Sequence, residues 1–331
     1  MKTAFVLAGT DPLVLAHHLA FYGLADILVE DGVVDLRMHW ADDRPVLTGT
    51  DLNDDRIDQA IRAHLAGRGR WVDQLHGPER RGLMSPRLSL IKDDAAWQEL
   101  QNGRENVLDE LTEDRAWSDL RYLAALGEPC YWSTWRGTTR QDDGASRFEM
   151  QPRNRGSEFV GNRLRPLRTK LSKRKPGQLV AGVAGRIVKD ELGGKPDSVS
   201  ATGLTTPGPI DNALIWCALW GIGQFPTTPR INAAARTSGH LRDRRHEWFV
   251  TPMWDGHWRP ARLRTILTSA ALLDAASPDD TDALTIRAAK TWLRERGVLG
   301  ITRFPIGRFG SDNAPERRAL RAQPIPTAEY T

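Results

Sequence analysis

Hydrophobic and polar positions along the chain predict a mixture of short strands and amphipathic helices. Thr3 to Ala8 is an apolar run of strand length. Asp11 then predicts an N-cap with Pro12 at the first helical position, where its missing N–H costs nothing. Leu13, Ala16, Ala20, Leu24, Ile27 and Leu28 recur at helical spacing until Asp31-Gly32. Val34, Leu36, Met38 and Trp40 alternate with Asp35, Arg37 and His39, the period-two pattern of a half-buried strand. The acidic stretch Asp51 to Asp58 opens a second helix, with Ile57, Ala60, Ile61 and Leu65 inward and Gly67 and Gly69 at its end. Carboxylates there suit the positive end of the helix dipole. Asp93 to Leu126 is helical in pattern, with a break predicted at Asn102-Gly103.

The second half is less regular. Tyr131, Trp132 and Trp135 predict a short strand, and Phe148 to Gln151 another. A helix is predicted from Arg155 to Leu171, stopped by Lys173-Arg174-Lys175-Pro176-Gly177. Leu192 to Pro209 holds four glycines and three prolines and reads as a loop or linker. Ile210 to Ile222 reads as a buried helix and Trp248 to Trp254 as a strand. Helices are predicted over Arg262 to Ala276 and Asp282 to Arg296, the second closed by Gly297. Residues 298–310 predict a last strand pair. The expected fold class is α+β, with mixed short sheets, packed helices and no regular βαβ series. The expected organisation is an N-terminal α+β domain (1–135), a basic segment with a Gly/Pro-rich linker (136–200), a C-terminal α+β domain (201–314) and a loose polar tail (315–331).

Of the 331 residues, 40% are apolar and 27% charged, enough apolar material for a real core. The longest nearly pure apolar run, Ala213 to Ile222, is half of the roughly 20 residues a spanning helix needs, so no membrane partner is expected. The apolar start is cut short by Gly9-Thr10-Asp11-Pro12, before the ~7–15 residues of a secretory core. Cys130 and Cys217 form no disulfide or zinc pattern. A reduced, cytoplasmic setting is the expectation. Net charge is +4, but Arg147 to Lys175 alone carries ten basic residues against two acidic ones. That segment is +8 and the remainder of the chain −4, so the basicity is local. Arginine outnumbers lysine 38 to 8, a bias that base composition can produce.

Common catalytic signatures are missing from the sequence: there is no G-x-x-x-x-G-K-[ST] and no H-E-x-x-H. His17 and His18 are adjacent and so point to different helix faces; His240 and His246 sit beside an arginine-rich run. The Asp-Asp pairs fall mostly at predicted helix starts and turns, where capping accounts for them. No catalytic residue, metal ligand or cofactor is assigned. The basic segment is the feature that calls for a partner. Arg153, Arg155, Arg163, Arg165, Arg168, Lys170, Lys173, Arg174 and Lys175 together would neutralise several phosphates, with Asn154 and Asn162 adding sugar or base contacts. Trp132 and Trp135 would stack on bases if exposed, or serve as core. The bland alternative for the basic segment is a solvated helix and loop.

Four stretches carry a family resemblance. Leu19-Ala20-Phe21-Tyr22-Gly23-Leu24-Ala25-Asp26-Ile27-Leu28 follows Asp11-Pro12. Asp211-Asn212-Ala213-Leu214 runs through Ala218-Leu219-Trp220-Gly221-Ile222 to Phe225-Pro226. Phe249-Val250-Thr251-Pro252-Met253-Trp254 leads to Arg262-Leu263-Arg264-Thr265-Ile266-Leu267. Arg296-Gly297-Val298 leads through Arg303-Phe304 to Arg308-Phe309-Gly310. In order and spacing they resemble the Csb-type or large-subunit-like proteins of type I-U (also I-G) CRISPR effector complexes. The resemblance spans residues 11 to 310, although the chain is short for a large subunit. It implies a non-catalytic subunit of a Cascade complex, bound to CRISPR RNA, target DNA and other Cascade subunits. Such a subunit contacts the target-adjacent motif and helps recruit a separate helicase–nuclease.

Two other readings stay open from sequence. A CRISPR RNA-processing endoribonuclease would use His17 or His18 as general base, with Gly297, Gly300, Gly307 and Gly310 in an RNA-gripping loop. A scaffold protein without nucleic-acid contact would dock an acidic partner on the basic segment.

Overall fold

Two almost wholly buried helices set the architecture. Helix α1 (Leu15–Glu30) buries every residue from Leu15 to Leu28 except His17. A second helix, Asn212–Gly221, buries all ten of its residues. α1 carries a His18-Tyr22-Asp26-Glu30 stripe at four-residue spacing, whose carboxylates pair with Arg121 and Arg68, while the second helix has no polar face to turn outward; both are enclosed. They pack on each other with glycines at the crossing: a methyl on Gly23 would drive into the Cys217 carbonyl, and one on Gly221 into the Leu19 carbonyl. The structure, a computed structural model, describes residues 2–88, 90–130, 134–135, 138–139, 141–148, 159–192, 203–204, 209–231, 233–278, 282–311 and 314–328.

In the N-terminal half, β1 (Lys2–Val6), β2 (Arg37–Ala41) and β3 (Arg44–Thr50) form an antiparallel sheet in the order β1-β3-β2. Phe5 pairs with Leu47 and Met38 with the same Leu47, placing three buried side chains across it. Helix α2 (Asp54–Gly67) is capped by Asn53, whose side chain accepts from the Arg56 N–H. Helix α3 (Asp94–Glu113) is capped by Asp93, and α4 (Trp117–Leu126) follows. The predicted break at Asn102-Gly103 does not occur. Gly103 sits against Leu83 within α3, and the helical run breaks instead at Arg115, where φ is +53°. α1 also begins later than predicted. Asp11 caps a preceding turn, accepting from the Leu13 N–H at 2.8 Å, and the Ala16 N–H reaches the Leu204 carbonyl at 3.0 Å.

Beyond a segment with helix α5 (Arg165–Leu171) comes the second buried helix, here α6. A second sheet runs β4 (His240–Arg242), β5 (Glu247–Trp254), β6 (Val298–Ser311), β7 (Ala314–Ala319), with β8 (Gln323–Pro326) also on β6. The strand pair predicted over 298–310 is one strand of 14 residues, whose first half pairs with β5 and second half with β7. Helices α7 (Pro260–Leu267), α8 (Ala270–Ala275) and α9 (Ala283–Glu295) lie around this sheet. The helix predicted over Arg262 to Ala276 is thus two, parted at Thr268-Ser269.

β2 meets the passage between β5 and α7 through reciprocal hydrogen bonds of 2.8 Å between the backbones of Met38 and Trp258. Trp254 stacks on Phe21 of α1 with ring centroids 5.8 Å apart, and on Trp258 at 4.8 Å. One hydrophobic cluster runs from Phe5 to Ala319, so the predicted N- and C-terminal units share a core through α1 and α6. The expected loose tail is different as well: through residue 328 it carries β8, and the Ala322 N–H bonds the Leu13 carbonyl. No helix is long and apolar enough to cross a membrane among the described residues. The fold class is α+β, with helices and several short antiparallel sheets.

Candidate nucleic-acid interface

The basic segment separates into cations held by the protein and cations facing solvent. Arg153 and Arg155 lie outside the described residues, as do Asn154 and Trp132. Phe159 leads into a π-helical turn, Val160–Leu164, that continues into α5. Arg163 is buried on this turn, its guanidinium 5.7 Å from the Phe159 ring centroid. Arg168 donates to Asp73 at 2.8 Å and to the Leu65 carbonyl at 2.9 Å, lying over the bare backbone of Gly69, where a Cβ would collide with it. Arg165 is half-exposed, 3.9 Å from the same Asp73.

Arg174 is the most constrained. It is 6% exposed, forks onto Glu191 at 2.8 and 2.9 Å, and reaches Asp211 at 2.7 Å and the Lys189 carbonyl at 2.8 Å. Asp211 is also the N-cap of α6, so Arg174 fastens the segment to the central helix. Burial opposes ionisation of Glu191, but the Arg174 guanidinium outweighs it and holds that carboxyl below its ordinary value.

Three of the predicted contacts face solvent: Lys170, Lys173 and Lys175. Lys170 and Lys173 are three apart at the end of α5 and share a flank. The turn that bears them is pinned from behind. Arg62 donates to the Arg174 and Lys175 carbonyls at 2.9 and 2.6 Å and is itself held by Asp58 at 2.7 Å. Asp58 also accepts from the Leu179 and Val180 N–H groups. The lysines are thus exposed side chains on a backbone held from behind. Arg163, Arg168 and Arg174, named from sequence as phosphate contacts, have structural roles: charge density in the sequence did not distinguish a cation that meets a partner from one that ties helices together.

The histidines considered as general bases fall in different settings. His18 is fully buried, with Nε2 2.7 Å from the Pro12 carbonyl and Nδ1 3.0 Å from the Thr251 hydroxyl. The carbonyl can only accept, so Nε2 carries the proton and Nδ1 accepts from Thr251. Burial pulls the imidazole down to about 4. His17 Nδ1 is 2.7 Å from the Asp11 N–H. Gly300, Gly307 and Gly310 lie within β6, and Gly297, at φ +78°, closes α9. Another knot joins the turn after α2 to α4: Asp119 takes ion pairs from Arg68 and Arg70 and a 2.7 Å hydrogen bond from Trp71 Nε1.

A second basic cluster was not visible as one in the sequence. Glu247, at the start of β5, has Arg317 at 3.5 Å, Arg242 at 3.6 Å, His240 at 3.6 Å and Arg147 at 3.9 Å. His240 hydrogen bonding, opposed by burial and aided by the arginines, pushes its carboxyl down to about 2. Three arginines and a histidine thus gather around one carboxylate on this side of the second sheet. Its members come from positions 147, 240–247 and 317, and only the Arg242–His246 run hinted at it. No family model matches the sequence, and no curated protein matches it.

Proposed function

We propose that the chain is a non-catalytic subunit of an RNA-guided type I CRISPR surveillance complex, of the Csb-type or large-subunit-like class. It would act in the cytoplasm, touching CRISPR RNA or target DNA, other Cascade subunits and the recruited helicase–nuclease. The observation that carries this reading is the exposed Lys170, Lys173 and Lys175 on a backbone turn fixed by Arg62 and Arg174. Fixed backbone with solvated ammonium groups suits sequence-independent phosphate contact, because Lys meets phosphate as a point charge and guide pairing supplies the sequence information. The four stretches of resemblance become α1, α6, the β5-to-α7 passage and β6, and each contributes side chains to the one hydrophobic cluster.

The test is co-expression with a CRISPR array and the neighbouring effector genes, followed by target-DNA binding across a salt series. The K170E/K173E/K175E variant is expected to join the complex, bind target DNA at least tenfold more weakly and show a shallower salt dependence. Unchanged affinity and slope would remove the lysine turn from the interface. Failure of the wild-type chain to co-purify with a guide-RNA complex would remove the subunit assignment.

A further inference from the structure

A groove of about 950 Å³ runs beside the second sheet, away from the lysine turn. One wall is the short ribbon pairing Thr227–Thr228 with Arg236–Thr237, continued by β4. The other is the junction of α7 and α8, from Leu267 to Ser277. The walls differ in hydrogen-bonding sense. The ribbon wall offers donors: Arg230, Arg236 and Arg242 all line it and are solvent-exposed. Arg242 is also one of the three arginines around Glu247.

The opposite wall offers acceptors. Thr268 has given its hydroxyl proton to the Arg264 carbonyl at 2.9 Å, and Ser269 has given its own to the Ile266 carbonyl at 2.8 Å. Ser238, at the groove floor, likewise donates to the Leu267 carbonyl. As bonded here, these hydroxyls turn their lone pairs to the groove. Asp274 adds a carboxylate on the same side. Among the described lining residues the one aromatic ring is His240, which is 10% exposed and packed against Phe249, so the groove presents little platform for base stacking.

We infer that this groove holds a single strand of RNA through its sugar–phosphate backbone, with phosphates on the arginine wall and 2′-hydroxyls donating to the Thr268, Ser269 and Asp274 wall. A phosphate chain alone would use the donors and leave the acceptor wall unmatched. A DNA strand has no 2′-hydroxyl to give. Ribose satisfies both walls at once, and the scant platform makes the contact indifferent to sequence. This inference rests on the nucleic-acid reading above and assigns the RNA part of it to a place distinct from the lysine turn.

The experiment uses the full chain with a labelled, unstructured 15-nucleotide RNA and the DNA of the same sequence, titrated from 50 to 300 mM salt. Wild type is expected to bind the RNA more tightly. R230A/R236A/R242A is expected to lose at least tenfold in RNA affinity and to flatten the log–log salt slope by about 2, at ~0.7 per phosphate contact on a single strand. Thr268→Val, close in shape but without a lone pair to offer, is expected to keep the salt slope and lose threefold or more of the RNA-over-DNA preference. A circular-dichroism melt of each variant checks that it is folded. K170A/K173A/K175A separates the two surfaces. If it abolishes RNA binding while the arginine variant binds as wild type, the groove is overturned and the lysine interface stands. Equal affinity of wild type for RNA and DNA, or no RNA binding at 50 mM salt, overturns the groove. Co-purification with a guide-RNA complex judges the subunit assignment independently.

Discussion

Arg174 and Lys175 are neighbours in sequence and opposites in structure. Arg174 is enclosed, with four hydrogen bonds of 2.7 to 2.9 Å to Glu191, Asp211 and Lys189. Lys175 is exposed, as are Lys170 and Lys173. The contrast follows from the side chains. A guanidinium is weakly hydrated and presents five donors in a planar fork, so it can be buried against carboxylates and carbonyls. An ammonium is strongly hydrated and stays in water. Within one stretch of positive charge, arginine has been used to build and lysine to display.

The largest effect that tests this contrast is on stability. Arg174→Ala would leave Asp211 and Glu191 without their cation, and breaking a buried pair on one side costs about 3–5 kcal/mol. Urea denaturation should show that loss; a change below about 1 kcal/mol would mean Arg174 is not structural. His18 is next. Its folded value of about 4 lies below the ordinary 6.5, so between those pH values the unfolded chain binds a proton that the core refuses. Stability from this group is fully present above pH 6.5 and is lost as pH falls toward 4, by up to about 3 kcal/mol. His18→Gln keeps a donor near Pro12 without titrating there and should flatten this limb of the stability–pH curve. An equally steep limb in the variant would assign it to other groups.

Asp73 sits between the extremes. Its pair with Arg168 is half exposed, so Asp73→Ala should cost about 1 kcal/mol or less in the same denaturation. The lysines come last. K170A/K173A/K175A should leave stability within about 0.5 kcal/mol of wild type, while removing two to three units from the salt slope for duplex DNA at ~0.9 per contact. A folded variant that melts several degrees lower would put the lysines with the structural cations.

The parts of the fold legible in the sequence are those decided locally. α1 declared itself by apolar residues at helical spacing, α6 by its unbroken apolar run, β5 by its bulky Trp248–Trp254 stretch, and α9 by its start at Asp282, which caps it through the Thr285 N–H. The parts that were not legible depend on partners remote in sequence. Gly103 stays helical within α3, where Leu83 lies against it. β6 runs straight through 14 residues because three different strands pair along it. The same holds for the candidate interface. The excess charge of the basic segment could be counted, but the fate of Arg174 was decided by Asp211, 37 positions away, and that of Arg168 by Asp73, 95 positions away. The groove arginines were legible only as single residues, because a ribbon and a helix junction bring their two walls together.

The glycine crossing of α1 and α6 bears on how the chain is made. Gly23 and Gly221 lie almost two hundred residues apart in synthesis order. At roughly 5–20 residues per second on the ribosome, α1 emerges some 10–40 s before the helix that covers it exists. For that interval a largely apolar helix waits outside the exit tunnel without its cover, so production of this protein should benefit from a holding chaperone that keeps it until residue 221 is out.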